Sequence, residues 1–99
     1  MYDIFATDSL KGIYHTLEND EKIWIDKIKE KLIEFPTGKP LGYKWFREKK
    51  YKNKRLYFLV SEEKKKILLV SFASKKDQQE IIDFIKTNMK ELLKHLNDI

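Results

Sequence analysis

The spacing of apolar residues changes period along the chain, and each change marks an expected element. Tyr2-Asp3-Ile4-Phe5-Ala6-Thr7 alternates polar and apolar and predicts a short first strand, with Asp8 or Ser9 placed to cap the helix that follows. Leu10, Ile13, Tyr14 and Leu17 then fall on one helical stripe, which Asn19-Asp20 interrupts. Trp24, Ile25, Ile28, Leu32 and Phe35 restart it, and Pro36, Gly38 and Pro40 end it, so the segment reads as two antiparallel helices joined by a short loop. From Leu41 the period falls to two. Runs rich in β-branched and aromatic residues at Tyr43 to Lys49, Arg55 to Ser61 and Ile67 to Ala73 predict three strands. Their short polar connections, residues 50–54 and 62–66, favour an antiparallel meander. In the second run Leu56, Phe58 and Val60 oppose Arg55, Tyr57 and Ser61, which predicts one core face and one available face, with Leu59 a sign that the second face is partly covered at that end. Ser74 and Asp77 form an approximate capping box before Ile81, Ile82, Ile85, Met89, Leu92, Leu93 and Leu96, the stripe of a single terminal helix.

Ninety-nine residues bound this to one α+β domain with one core. The chain has no cysteine, which excludes disulfides, thiolate nucleophiles and Cys-based zinc sites. No run approaches a membrane span, and the first residues lack the regions of a secretion signal, so the expectation is a soluble, cytoplasmic protein without a membrane partner. Charge changes the picture more. Lys39 to Lys76 holds 13 of the 21 Lys and Arg residues and three of the 16 acids, whereas the other 61 residues carry a net charge of −5. Seven aromatic side chains, from Tyr43 to Phe72, lie among those cations. Cations attract a phosphate backbone and flat rings stack on unpaired bases, so this middle segment points to RNA.

Within it, Arg55 and Tyr57 would sit side by side on a stiff strand, suited to stabilising charge, although both also read as ordinary strand-edge and packing residues. Lys75 and Lys76 stand where the last strand meets the last helix, a place that favours an anion and equally suits two solvated lysines. Arg47, Lys49 and Trp45 share a face by period two, which makes them candidates to hold the RNA backbone and to stack, with core packing the alternative for Trp45. Lys50, Lys52 and Lys54 add positive field in the turn. His15 and His95 have no second ligand at helical spacing, so no metal site is expected, and nothing supports serine-type catalysis or a glycine-rich phosphate loop.

The order strand, helix hairpin, three-stranded meander and terminal helix, with three local motifs, resembles the RelE/ParE toxin superfamily over nearly the whole chain. The motifs are Trp45-Phe46-Arg47-Glu48, Lys54-Arg55-Leu56-Tyr57-Phe58-Leu59-Val60, and Leu68 to Lys76 with its basic exit. The resemblance implies a single RelE-like domain over residues 1–99, acting as the toxin of a toxin–antitoxin system: a ribosome-dependent endoribonuclease that cuts mRNA without a metal or cofactor, through attack of the 2′-hydroxyl on the adjacent phosphate. It implies Arg55 as the stabiliser of phosphate charge, Lys75 or Lys76 as the second cation, and Arg47 and Lys49 on the RNA backbone. Such enzymes often carry a tyrosine or histidine early in the last helix, where this chain has Asp77-Gln78-Gln79-Glu80-Ile81, leaving Tyr57, Tyr51 or a lysine to act. The implied partners are a cognate antitoxin, the ribosome and mRNA. Gyrase inhibition by a ParE-like toxin, and a noncatalytic RNA-binding or decayed toxin, are the alternatives. In the catalytic reading the cations converge on one concave pocket sized for a nucleotide.

Overall fold

A computed structural model describes residues 1–99. The chain runs β1 (Asp3–Ala6), α1 (Asp8–His15), α2 (Asn19–Glu34), β2 (Lys39–Pro40), β3 (Phe46–Tyr51), β4 (Lys54–Ser61), β5 (Lys66–Ser74), a 3-10 turn (Lys75–Asp77), α3 (Gln78–Thr87) and α4 (Met89–Asp98). One five-stranded sheet has the order β1-β5-β4-β3-β2, antiparallel except where β1 runs parallel to β5. The helix hairpin covers one face, packing Leu10, Ile25, Ile28 and Leu32 on Leu56, Phe58, Val60 and Leu69. The C-terminal helices cover the other, packing Ile85 and Leu96 on Phe46, Tyr57, Leu59 and Leu68. Each fully buried aliphatic side chain contributes about 1.5–3 kcal/mol, so both layers are needed to hold a chain this short.

The architecture matches the sequence pattern in outline and departs from it in five places. Thr7, not Asp8 or Ser9, caps α1: its Oγ1 accepts from Leu10 N at 3.1 Å and donates to Val70 O at 3.1 Å, so the cap also ties the helix to β5. A short extra strand, β2, pairs with β3, which begins at Phe46 rather than Tyr43. Gly38 makes that approach possible, because a Cβ there would lie 2.9 Å from both Glu48 O and Phe58 Cζ. The β3–β4 connection shrinks to Lys52-Asn53, with Lys52 in the left-handed region at φ 53°. The terminal helix is two helices. At Asn88 the backbone leaves helical geometry (φ −106°, ψ 20°) and the Asn88 side chain donates to Phe84 O at 2.9 Å, which lets α4 turn so that Leu96 reaches the sheet. Finally, β4 has no available face: every residue from Arg55 to Val60 is buried. Tyr57 and Leu59 carry enough apolar surface on the second face to call α3 and α4 down onto it.

Candidate active site

Residues directly opposite in an antiparallel pair point the same way. Glu48 is opposite Tyr57, and Lys50 is opposite Arg55, so these four share the sheet face covered by α3. The layer is otherwise apolar, yet Glu48 is 7% and Arg55 9% exposed. The two form an ion pair, Arg55 Nε to Glu48 Oε2 at 3.6 Å. Gln78, the first residue of α3, donates its Nε2–H to the same Glu48 Oε2 at 2.8 Å. Beside them Tyr57 is fully buried, and its hydroxyl has no hydrogen-bond partner. Burial chiefly, then the Glu48 charge, pushes the Tyr57 hydroxyl up to about 12, with Arg55 opposing and the Asp77 carboxylate adding to the rise. Near neutral pH this phenol therefore stays protonated and cannot accept a proton.

What is left unpaired defines what the cluster can do. Tyr57 Oη alone is a buried side-chain polar atom without a partner, so the terminal nitrogens of Arg55 and the Oε1 atom of Glu48, which make no hydrogen bond either, retain contact with solvent. A guanidinium and a carboxylate thus stand side by side in a nearly closed layer, with only their unbonded atoms touching solvent. The 3-10 turn of Lys75–Asp77 closes one side: Lys75 N donates to Asn53 O at 3.2 Å, and the Ser74 hydroxyl to Asp77 Oδ2 at 3.1 Å. Lys50, Lys75 and Lys76 are exposed and take no ion-pair partner. The arrangement gathers Arg55, Tyr57 and Lys50 with the turn that carries Lys75 and Lys76, and it suits an anion that meets the guanidinium head-on.

The remaining candidates lie elsewhere, which corrects the expectation of one shared surface. Arg47 and Lys49 are opposite Phe58 and Leu56, on the face covered by the helix hairpin. Arg47 is engaged as a brace: Nε donates to Lys44 O at 2.7 Å, Nη1 to Pro36 O at 2.5 Å, and Nη2 pairs with Glu62 at 2.9 Å. Lys49 Nζ donates to Thr37 Oγ1 at 2.9 Å. Lys54 pairs with Glu21 of α2 at 2.7 Å, and Lys52 with Asp20 at 3.1 Å, so both lysines tie the β3–β4 turn to the helix hairpin. Both acids are held below the ordinary carboxylate range, Glu21 first by Lys54 and Asp20 first by the Tyr51 hydroxyl. Trp45 stacks on Tyr43 at 4.6 Å and on Phe46 at 6.3 Å. It sits ~17 Å along the strand from the residue facing Arg55, too far to stack a base held there. Nor do the cations share a deep pocket: the hollow of about 610 Å³ lies at the sheet edge, against Ile4, Lys11, Lys29, His95 and Ile99.

Sequence reasoning missed Glu48 and Gln78. Glu48 is the one acid between Lys39 and Ser61, a signal visible in the chain; Gln78 carries none, since only packing brings α3 over β3. No group of three or more His, Asp or Glu side chains is placed to hold a metal ion, and no helix is long and apolar enough to cross a membrane.

A mixed sheet of this order between a helix hairpin and C-terminal helices is the α+β fold of the RelE toxins, and this chain has that fold. It is similar to a doubly arginine-substituted E. coli RelE in the free state (TM-score 0.73, 16% identity, 87% of this chain and 96% of that one). It is also similar to isolated E. coli RelE (0.67, 17% identity, 86% and 99%) and to the M. tuberculosis RelBE2 toxin–antitoxin complex (0.62, 15% identity, 75% and 98%). No family model and no curated protein matches the sequence.

Proposed function

We propose that this protein is the toxin of a toxin–antitoxin pair, and that it arrests translation in the cytoplasm by cutting ribosome-bound mRNA. The observation that carries the reading is the Arg55 guanidinium, mostly buried, facing Glu48 through Nε, and free of hydrogen bonds at its terminal nitrogens beside the unpaired Lys50, Lys75 and Lys76. Attack of a ribose 2′-oxygen on the adjacent phosphate builds negative charge on the non-bridging oxygens. Arg55 meets that charge with its terminal nitrogens, Tyr57 packs beneath it in the closed layer, and Lys50, Lys75 and Lys76 hold the flanking backbone. The RelE fold supports the toxin assignment, and neighbours of this fold were solved with an antitoxin. An antitoxin partner with acidic and apolar segments fits the basic patch and the exposed Phe84 on α3.

Expression of the wild-type chain should stop growth and protein synthesis, with cleavage sites mapped by primer extension on programmed ribosomes. Arg55→Ala should slow cleavage by ~10²–10³-fold, the scale for losing one donor to a developing anion. Adding Lys75→Ala should relieve the arrest while the protein stays folded. Full toxicity in that double variant defeats the site assignment; intact mRNA with early loss of DNA supercoiling defeats the reaction in favour of gyrase inhibition. Intact mRNA with supercoiling unchanged leaves a noncatalytic RNA-binding protein.

A further inference from the structure

RNA cleavage by 2′-oxygen attack needs a group to take the hydroxyl proton, and the residues assigned so far supply none: Tyr57 holds its own proton, and Arg55 and the lysines are cations. We infer that Glu48 is that proton acceptor and that Gln78 positions it, an inference that rests on the ribonuclease reading. Glu48 Oε2 is committed to Gln78 Nε2 at 2.8 Å and faces Arg55 Nε at 3.6 Å. Oε1 makes no hydrogen bond and keeps contact with solvent. The carboxylate is therefore clamped by one oxygen and available through the other, next to the fork that would grip the scissile phosphate. At 3.6 Å the Arg55 contact is also longer than the 2.7–2.9 Å of a full charge-assisted bond, so the guanidinium is not consumed by its neighbour.

In the step itself the O2′–H bond breaks and its proton passes to Glu48 Oε1, as the O2′–P bond forms and the P–O5′ bond breaks. The products are a 2′,3′-cyclic phosphate and a 5′-oxygen that takes a proton from water; Glu48 returns its proton to solvent. Gln78 occupies the start of α3, directly over β3. Here the helix contributes an amide that aims a strand carboxylate.

The test is single-turnover cleavage of mRNA on programmed ribosomes, with thermal melting to confirm folding and a steady-state series to separate kcat from KM. Glu48→Gln should lower the rate by ~10²–10⁴-fold without weakening RNA binding. Glu48→Asp, which keeps a carboxylate, should restore part of that rate. Gln78→Ala removes a bond that aims the carboxylate, so it should lower kcat and leave KM unchanged. Glu48→Gln that cleaves within threefold of wild type overturns the inference. So does a change in KM alone, which would mean that Glu48 merely holds Arg55. If Glu48→Gln does not fold, an unchanged kcat in Gln78→Ala overturns the inference. Wild-type protein that leaves the mRNA intact overturns the ribonuclease reading itself, and the inference with it.

Discussion

Tyr57 shows how one residue can serve packing and chemistry on different terms. Its ring fills the layer beneath the C-terminal helices, while its hydroxyl is buried without a partner. Burying an unpaired hydroxyl costs on the order of 1–3 kcal/mol, so Tyr57→Phe should raise stability at pH 7 by about 1 kcal/mol in denaturant titration. The sign of the alkaline response follows from its position near 12. Below pH 10 folded and unfolded forms are both protonated. Between pH 10 and 12 the unfolded chain releases the proton and the folded one does not, so stability falls as pH rises, by about 2–3 kcal/mol in all. Tyr57→Phe should flatten that fall. Arg47 is the contrasting case, a cation whose three nitrogens all hold protein oxygens. Arg47→Ala should cost about 1–3 kcal/mol of stability and leave single-turnover cleavage by the folded protein within a few-fold of wild type. Its sequence position, one residue before Glu48, gave no hint of this, because period two tells which residues share a face but not which face meets the helices.

At the scale of elements, the site depends on β3 lying at the right height against β4, and β2 fixes the outer edge of β3. Gly38 is the contact that matters there. Gly38→Ala puts a methyl group within 2.9 Å of the Glu48 carbonyl and the Phe58 ring, so it should destabilise by about 1–3 kcal/mol. It should also reduce cleavage more than stability alone predicts, because the displaced strand carries Glu48; comparing kcat with the melting temperature checks this. The C-terminal split is a second decision made by elements. The run from Ile81 to Leu96 reads as one stripe, yet Asn88 ends α3 with its own side chain on Phe84 O, and α4 takes a new direction. An asparagine that breaks a helix and one that sits on its solvent face look alike in a sequence; here Phe84 O accepts from both the backbone N–H and the side-chain amide of Asn88, where the chain leaves helical geometry.

For the whole molecule, the basic middle segment looked like a broad cationic surface, and the fold divides it. Lys52 and Lys54 are spent on the helix hairpin, and Arg47 and Lys49 on the connection that follows α2 and on Glu62, whereas Lys50, Arg55, Lys75 and Lys76 remain for an anion. Four contacts to single-stranded RNA predict a slope near −3 for log K against log salt, at about −0.7 per contact, rather than the slope of about −7 that ten net charges would give. Binding of a short RNA oligonucleotide across salt concentrations decides between them. The main strands and the helix hairpin in their order, the charge split and the shared face of Arg55 and Tyr57 were written in local pattern, because side-chain period and charge are properties of neighbours in the chain. Which cations face the ligand, that β4 is covered on both sides, and that Glu48 and Gln78 meet beside Arg55 were decided by tertiary structure. Those facts depend on strand register and on helices 30 residues away, and no local spacing encodes a contact between Gln78 and Glu48 until the sheet is closed beneath α3.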